Sequence, residues 1–489
     1  MNFQHIPDSL RVPLFYAEVD NSHASMFSVN QPTLLIGQMF EAGTATLHSP
    51  ILINRADEAA TAFGRGSLLH QMVQAYRTRD SFGEVWCLPV ADARAGIKAT
   101  GTITFSGAIE ATGTVQRLIG GRVVRISVIR GDTAATIAQA FSEAVNADTD
   151  APVTASAEDQ TVTLTAYHAG EIGNDIDIRR VPISGGKAPD PSGITVAVTV
   201  MSGGQNNPDL SRAVAGIGDE TYDFIVCPYS DRANLDTLKT FMDDATGRWS
   251  WARQVYGHVF SIRRGTVAQL DTFGATLNSQ HMTVFGLEPV AALPWDVLSR
   301  VTAEAAKSLR NDPGRPLQSL PLDVAAADPE RRFTLQERQV LLTSGIATLY
   351  TAAGALHIER AITTYQVNAY QQPDTSYLDV NTLYSIAHIL RFLKQRITSK
   401  YGRHKLADDG TRFGSGQAIV TPKIIRAELI AAYGELERDG LVENAQAFKD
   451  NLIVTRNAHN PNRLDVLLPP DLVNQLRVFA VLTQFRLQY

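Results

Sequence analysis

The chain alternates between two hydrophobic periods, and the changes of period divide it. Apolar runs bounded by turn residues read as buried strands: "PTLLIG" at 32–37, "EVWCLPV" at 84–90, "YDFIVCPY" at 222–229, "QVYGHVFSI" at 254–262 and "HMTVFGL" at 281–287. Between them apolar residues recur every three or four positions, the period of a helix with one buried face. That spacing predicts helices over 56–63 and 67–77. It predicts another carrying Leu235, Leu238 and Met242, and one with Val267, Leu270, Phe273 and Leu277 on one face. Strands alternating with amphipathic helices imply an α/β fold, multidomain in a chain of this length, with a mainly parallel sheet covered on both faces.

From about 96 to 205 the texture changes to Thr, Gly and Val with a period of two, as in "GTITFSG" and "QTVTLTAYH". "VQRLIGGRVVRISVI" predicts a hairpin turning at Gly120-Gly121, since paired glycines supply the positive φ of a tight turn. One helix is expected there, with Ile137, Phe141 and Val145 behind a cap at Asp132 or Thr133. The segment reads as a β-rich domain inserted into the α/β domain. A third region opens near Leu356 with a long helix (Leu383, Ile386, Leu390, Leu393, Ile397) and a Gly-rich loop at 408–416. A second helix is announced by Thr421-Pro422, a cap with proline at the first helical position, and its apolar face is Ile425, Leu429, Tyr433 and Leu436. "NLIVTRN" and "RLDVLLPP" then read as strands. The expected division is an arm at 1–30, the α/β domain in two parts at 31–95 and 206–355, and the insertion at 96–205. An α+β C-terminal domain at 356–470 and a final arm strand at 471–489 complete it.

Composition changes this picture little. The 489 residues are 44% hydrophobic and 19% charged, as in an ordinary soluble globular protein, and suffice for about three or four domains of ~100–200 residues. Cys87 and Cys227 each lie in a short apolar run, so buried free thiols are expected rather than a disulfide framework, which suits a reducing compartment. No run approaches the ~18 apolar residues of a membrane span, and Pro13 interrupts the longest early apolar run, so no secretory signal is expected. Net charge is −6, and from Leu356 onward 16 Lys and Arg face 13 Asp and Glu, an asymmetry too small to argue for nucleic acid.

An α/β fold invites enzymatic readings, of which a nucleotide-binding protein or enzyme with an inserted β domain is the main alternative. The sequence has no GxxxxGK[ST] loop. "FGRGSLLH" at 63–70 has two glycines before a helix but lacks the third glycine and partner acid of a dinucleotide site. "GSGQ" at 414–417 has no strand feeding it, and the histidines show neither HExxH nor zinc spacing. "GEIGNDIDIRR" gathers Glu171, Asp175 and Asp177 without an EF-hand pattern, so a turn leading into an edge strand is expected. No cofactor is implied. One charge cluster stands out in "RFLKQRITSKYGRHK": Arg391, Lys394, Arg396, Lys400, Arg403 and Lys405, with no acid among them. It fits either an acidic protein partner or a solvated helix end, where cations are favourable.

Both outer stretches look like strands seeking a sheet. Phe479, Val481, Phe485, Leu487 and Tyr489 fall at every second position, broken only by Thr483. Near the front, Phe15, Ala17 and Val19 alternate with Tyr16 and Glu18, and Pro13 confines that strand to an edge. Such strands either tuck into sheets of their own chain or complete the sheet of another, a head-to-tail contact that builds rings or helical polymers.

"IPDSLRVPLFYAEVDNSHA", "QPTLLIGQ", the inserted "GDTAATIAQAFSEAVNADTDAPVTASAEDQTVTLTAYHAGEIGNDIDIR" and "TYDFIVCPYSD" resemble, in this order, the contractile tail sheath proteins of Mu-like bacteriophages. The resemblance implies a non-enzymatic structural subunit of the virion tail, assembled in the host cytoplasm. It implies a helical polymer of stacked hexameric rings around a tail tube, contracting by rigid-body rearrangement. The implied partners are the chain itself, the tube protein, and baseplate and tail terminator proteins, with no nucleic acid and no direct membrane insertion. Carried onto this sequence, Val12, Leu14, Phe15, Val19, Phe479, Val481, Phe485, Leu487 and Tyr489 belong to linking arms. Their receivers lie in "NLIVT" and "RLDVLL". The basic cluster at 391–405 becomes a candidate tube contact, and the insertion would lie outward.

Overall fold

A computed structural model describes residues 30–183 and 186–486. Six strands form its central sheet, in the order Met282–Leu287, His258–Arg264, Phe224–Val226, Thr33–Gln38, Val85–Val90 and Ile51–Leu52. All pairs are parallel except that of the edge strand Ile51–Leu52, which runs antiparallel to Val85–Val90. Thr33–Gln38, Phe224–Val226 and Met282–Leu287 are buried at every position, so they read in sequence as unbroken runs. Cys87 and Cys227 sit in or beside these strands as buried free thiols.

From Thr33–Gln38 the chain steps one way to Val85–Val90 and later the other way through Phe224–Val226, His258–Arg264 and Met282–Leu287. Where a parallel sheet is wound in both directions from its first strand, right-handed crossovers place helices on both faces. Arg232–Met242 buries Leu235, Leu238 and Met242 as its spacing predicts. The next helix, Val267–Gly274, is shorter than expected: the Thr276 hydroxyl takes up the Phe273 carbonyl, and Leu277 packs from the turn beyond. An 18-residue helix, Pro294–Asn311, adds to the expected elements. Leu298, Val301, Ala305 and Leu309 recur every three or four positions on its buried side, and Asp296, Arg300, Lys307 and Asn311 line the other. Trp295 Nε1 ties it to the helix Leu68–Arg77 by donating to Gln71 Oε1 at 2.8 Å.

Residues 96–205 leave and rejoin this body through paired backbone hydrogen bonds between Ile97 and Gln205. Within them stand a four-stranded antiparallel sheet and a three-stranded one. The hairpin Gly113–Ile119/Arg122–Val128 closes with Ile119 opposite Arg122, and Gly120 and Gly121 both have positive φ (55° and 83°), the two-residue turn the sequence calls for. Thr133 caps the helix Ala134–Ala147 by accepting from Thr136 N–H, and Phe141 packs on Phe105 with ring centroids 5.8 Å apart. The acidic "GEIGNDIDIRR" forms a 3-10 turn, Glu171–Asp175, leading into the edge strand Ile178–Arg179.

The hydrophobic core falls into two clusters. The first joins the sheet, its helices and the insertion, and continues through Ile362, Val380 and Tyr384. The second holds Ile389, Ile425, Leu429, Tyr433, Leu436 and Phe448. The expected boundary at 355/356 falls inside an antiparallel hairpin, Thr348–Ala352/Ala355–Arg360, and the change of core lies instead within the long helix Val380–Tyr401. Because that helix serves two cores, its buried stripe shifts: Leu383, Tyr384, Ala387 and Ile389 are buried, while the expected Leu390 is exposed.

Candidate assembly interface

The second cluster is built by the long helix, the helix Pro422–Arg438 and a two-stranded antiparallel sheet, Ile453–Arg456 with Leu464–Leu467. Thr421 and Pro422 start the helix as expected, and Ile425, Leu429, Tyr433 and Leu436 form its buried face. Among the described residues the two strands pair only with each other, leaving each an open edge there, and Ile453, Val466 and Leu467 are exposed. A lone hairpin is marginal in water, and an unpaired edge presents N–H and C=O groups to any chain that can supply a strand.

The final stretch offers such a strand. Leu472 bridges Val442, and Val473 N–H donates to Leu441 O at 3.2 Å. Beyond Arg477 the described residues 478–486 have no regular structure and no hydrogen bond to other described residues. Phe479, Leu482 and Phe485 stand 81%, 86% and 82% exposed, with Val478 and Val481 close behind. Large apolar side chains displayed in series mark an interaction surface. The alternation of Phe479, Val481 and Phe485 is therefore not satisfied by a sheet of this chain among the described residues. Val12, Leu14, Phe15, Val19, Leu487 and Tyr489 lie outside the described residues.

The six basic residues do not form one surface. Arg391 NH1 pairs with Asp223 Oδ1 at 2.5 Å, with side chains 12% and 1% exposed. Arg396 pairs with Glu428 and Glu435 of the helix Pro422–Arg438, and Lys400 Nζ reaches Glu428 at 2.8 Å. Burial pushes the Glu428 carboxyl up, but bonds from Lys400, Arg396 and Tyr401 outweigh it and hold the group below its ordinary value. Arg391 and Arg396 thus serve internal pairs. Lys394, Arg403 and Lys405 remain exposed and without an ion pair among the described residues. The missed partners were legible in part: Glu428 and Glu435 are seven apart, hence on one helix face, beside the apolar residues Leu429 and Leu436.

The glycine-bearing turn before the helix Leu68–Arg77 is likewise occupied from within. His168, from the insertion, accepts from Leu68 N–H at Nε2 (3.2 Å), so its proton sits on Nδ1, which donates to Asp92 at 2.8 Å. Asp92 also accepts from Ala169 N–H and from Gln38 Nε2, joining the insertion to the central strand. Burial raises the Asp92 carboxyl, yet these bonds prevail and hold it below its ordinary value. A carboxyl depressed in the folded state contributes stability that is complete above its unfolded pKa and lost as pH falls through its folded one. Asp92→Asn is expected to lower stability by about 1–3 kcal/mol at pH 7. Denaturant melts of variant and parent should converge in strong acid; a gap independent of pH contradicts the assignment.

Among the described residues no group of three His, Cys, Asp or Glu could hold a metal ion, and no helix is long and apolar enough to cross a membrane. Comparison with known proteins gives the arrangement a context. Residues 203–364 match the phage tail sheath protein central domain and residues 372–486 the phage tail sheath C-terminal domain. The Mu-like prophage FluMu tail sheath protein of Haemophilus influenzae is 39% identical over 493 residues, covering 99% of each chain. Among solved structures, a sheath tail protein from Desulfitobacterium hafniense aligns over 95% of this chain and 97% of its own at 11% identity, with a TM-score of 0.49. The helical sheath of the anti-feeding prophage in its contracted state aligns over 97% and 99% at 11% identity, with a TM-score of 0.46. The chain belongs to the phage tail sheath family, in its Mu-like branch, and is a structural protein of the phage tail rather than an enzyme.

Proposed function

We propose that the chain polymerises into stacked hexameric rings around a tail tube, and that residues 478–486 are the late linking arm. The observation that carries this reading is a pair of elements incomplete among the described residues: an apolar strand-like segment with no sheet, and a two-stranded sheet with open edges. One chain's segment completes a neighbour's hairpin, and the contact repeats head-to-tail. Early residues Val12, Leu14, Phe15 and Val19 supply a second arm by the same alternation. Contraction is then a rigid-body shift of subunits that stay linked through strands, with the extended form kinetically held. The domain division is a body of 31–95 and 206 to the first half of the long helix Val380–Tyr401, an outward insertion of 96–205, and an inner domain built on the second core. Assembly proceeds in the host cytoplasm, with tube, baseplate and terminator proteins as partners.

Lys394, Arg403 and Lys405 are the proposed tube-facing cations, with Lys400 half committed to Glu428. Changing the first three to Glu is expected to leave self-assembly intact and to weaken loading onto purified tubes by about tenfold or more at low salt. Co-sedimentation reads this, and unchanged loading rules out that face. The reading as a whole is tested by negative-stain microscopy of the purified chain, which should show striated tubes or ring stacks. Uniform monomers at the same concentration exclude it.

A further inference from the structure

The root of the late arm is held in an unusual way. Residues 471–473 belong to the second core, through Glu443 N–H to Asp471 O (2.9 Å) and Val473 N–H to Leu441 O (3.2 Å). Two residues further, the chain has crossed to the first core: Gln475 Nε2 donates to Gly314 O at 2.6 Å, and Gln318 Nε2 donates to Leu476 O at 3.3 Å. Arg477 then turns inward, its NH2 donating to Asp379 Oδ1 at 2.8 Å and its NH1 to Gln318 Oε1 at 3.2 Å, with the side chain only 14% exposed. The next residue, Val478, is 79% exposed. The boundary between held and free chain is therefore one side chain wide.

Asp379 is not reserved for Arg477. Arg360 grips both of its oxygens, Nε to Oδ1 at 3.0 Å and NH2 to Oδ2 at 2.9 Å. Asp379 also stands at the start of the long helix, where the backbone already presents positive charge. One carboxylate thus answers two guanidiniums and a helix end. On Asp379 the bidentate Arg360 holds the stronger geometry and Arg477 makes one contact, its NH2 being shared with Gln475 Oε1 and Asn381 Oδ1. Arg477 meets a further penalty: its buried Nε has no partner among the described residues, and burial together with Arg360 pulls its pKa below the ordinary arginine value.

We infer that Arg477 is a releasable clamp on the linking arm, a positioning residue that fixes where the arm leaves the body and competes with Arg360 for Asp379. This rests on the reading of 478–486 as a linking arm. With the clamp closed the free arm begins at Val478; with it open, residues 474–477 join it and extend its reach by about 13 Å, at ~3.3 Å per residue. Linked subunits that change their separation need slack of this kind, and a clamp weakened by a competing cation can give it without breaking the strand contact.

Limited trypsin digestion of the unassembled full-length chain, followed by intact mass, tests the clamp directly. The parent is expected to lose residues 487–489 first, by cleavage after the exposed Arg486, and to resist cleavage after Arg477. Arg477→Lys keeps the charge and the tryptic site but lacks the fork that spans Asp379 and Gln318. Cleavage after 477, relative to 486, should rise about tenfold. Arg360→Gln removes the competitor and should slow cleavage after Arg477 several-fold, an effect that a merely structural Arg477 would not show. Equal cleavage after 477 in parent and Arg477→Lys overturns the clamp. Unchanged or faster cleavage in a folded Arg360→Gln chain overturns the competition. Because no polymer is involved, these outcomes stand apart from the arm reading, which fails instead if a chain lacking 478–489 assembles.

Discussion

A chain ending at Arg477 is expected to fold as stably as the full-length protein and to form no polymers. Residues 478–486 make no hydrogen bond to other described residues and expose their apolar side chains, so their removal should change folding stability by less than about 0.5 kcal/mol. Assembly loses the strand that completes each neighbouring hairpin. Burying the side chains of Val478, Phe479, Val481, Leu482 and Phe485 is worth about 1.5–3 kcal/mol each. Ordering nine residues opposes this by ~1–2 kcal/mol per residue, so one arm contact is marginal by itself. A marginal contact repeated around rings and between them gives an all-or-none response to its loss. Calorimetry paired with sedimentation checks both halves, and normal tubes from the shortened chain would sink the assignment of the arm.

The second large effect falls on the joint between the two cores. Asp223 opens the strand Phe224–Val226, and the long helix seals it from above: Tyr384 OH donates to Asp223 O at 2.8 Å, and the Tyr384 ring stacks on Phe224 at 5.0 Å. Arg391, two turns further along, pairs with the carboxylate, whose other oxygen is buried without a partner among the described residues. Removing one member of a buried pair leaves an uncompensated charge, so Arg391→Ala should lower stability by about 3–5 kcal/mol. Adding Asp223→Asn should recover part of that loss. Lys394→Glu, one turn away and exposed, should lie within about 0.5 kcal/mol of the parent. Urea unfolding separates these outcomes, and an Arg391→Ala chain as stable as Lys394→Glu contradicts the joint.

These two effects also mark how far the sequence could be read. The buried parallel strands were legible because two covered faces leave an apolar run, and the Gly120-Gly121 turn because few residues tolerate its backbone. Thr133 and Thr421-Pro422 were legible as helix starts for equally local reasons. The helix Pro294–Asn311 carries its period in Leu298, Val301, Ala305 and Leu309, but Leu293 gives it no side-chain cap to announce its start. The basic cluster misled because neutralising acids arrive from another helix and, for Arg391, from a strand far earlier in the chain. A local cue existed: Arg391 continues the buried stripe of Leu383 and Ala387, and a charge in such a stripe demands an internal partner. The Arg477 clamp depends on Arg360 and Asp379 meeting in space, which no local pattern announces. The late arm, by contrast, was visible as alternation, and its lack of a sheet within the chain required the fold.

The central claim, that the late arm enters a neighbour's hairpin as a strand, is tested most directly by cysteine scanning. Cys87 and Cys227 are fully buried, so single cysteines placed in turn along 478–486 can be oxidised against Leu467→Cys without interference. A strand in a sheet presents every second residue to the same face. The account predicts ladders of disulfide-linked multimers whose yield alternates along the arm with a period of two. Monomers with only intramolecular bonds, or ladders of equal yield at every position, contradict it.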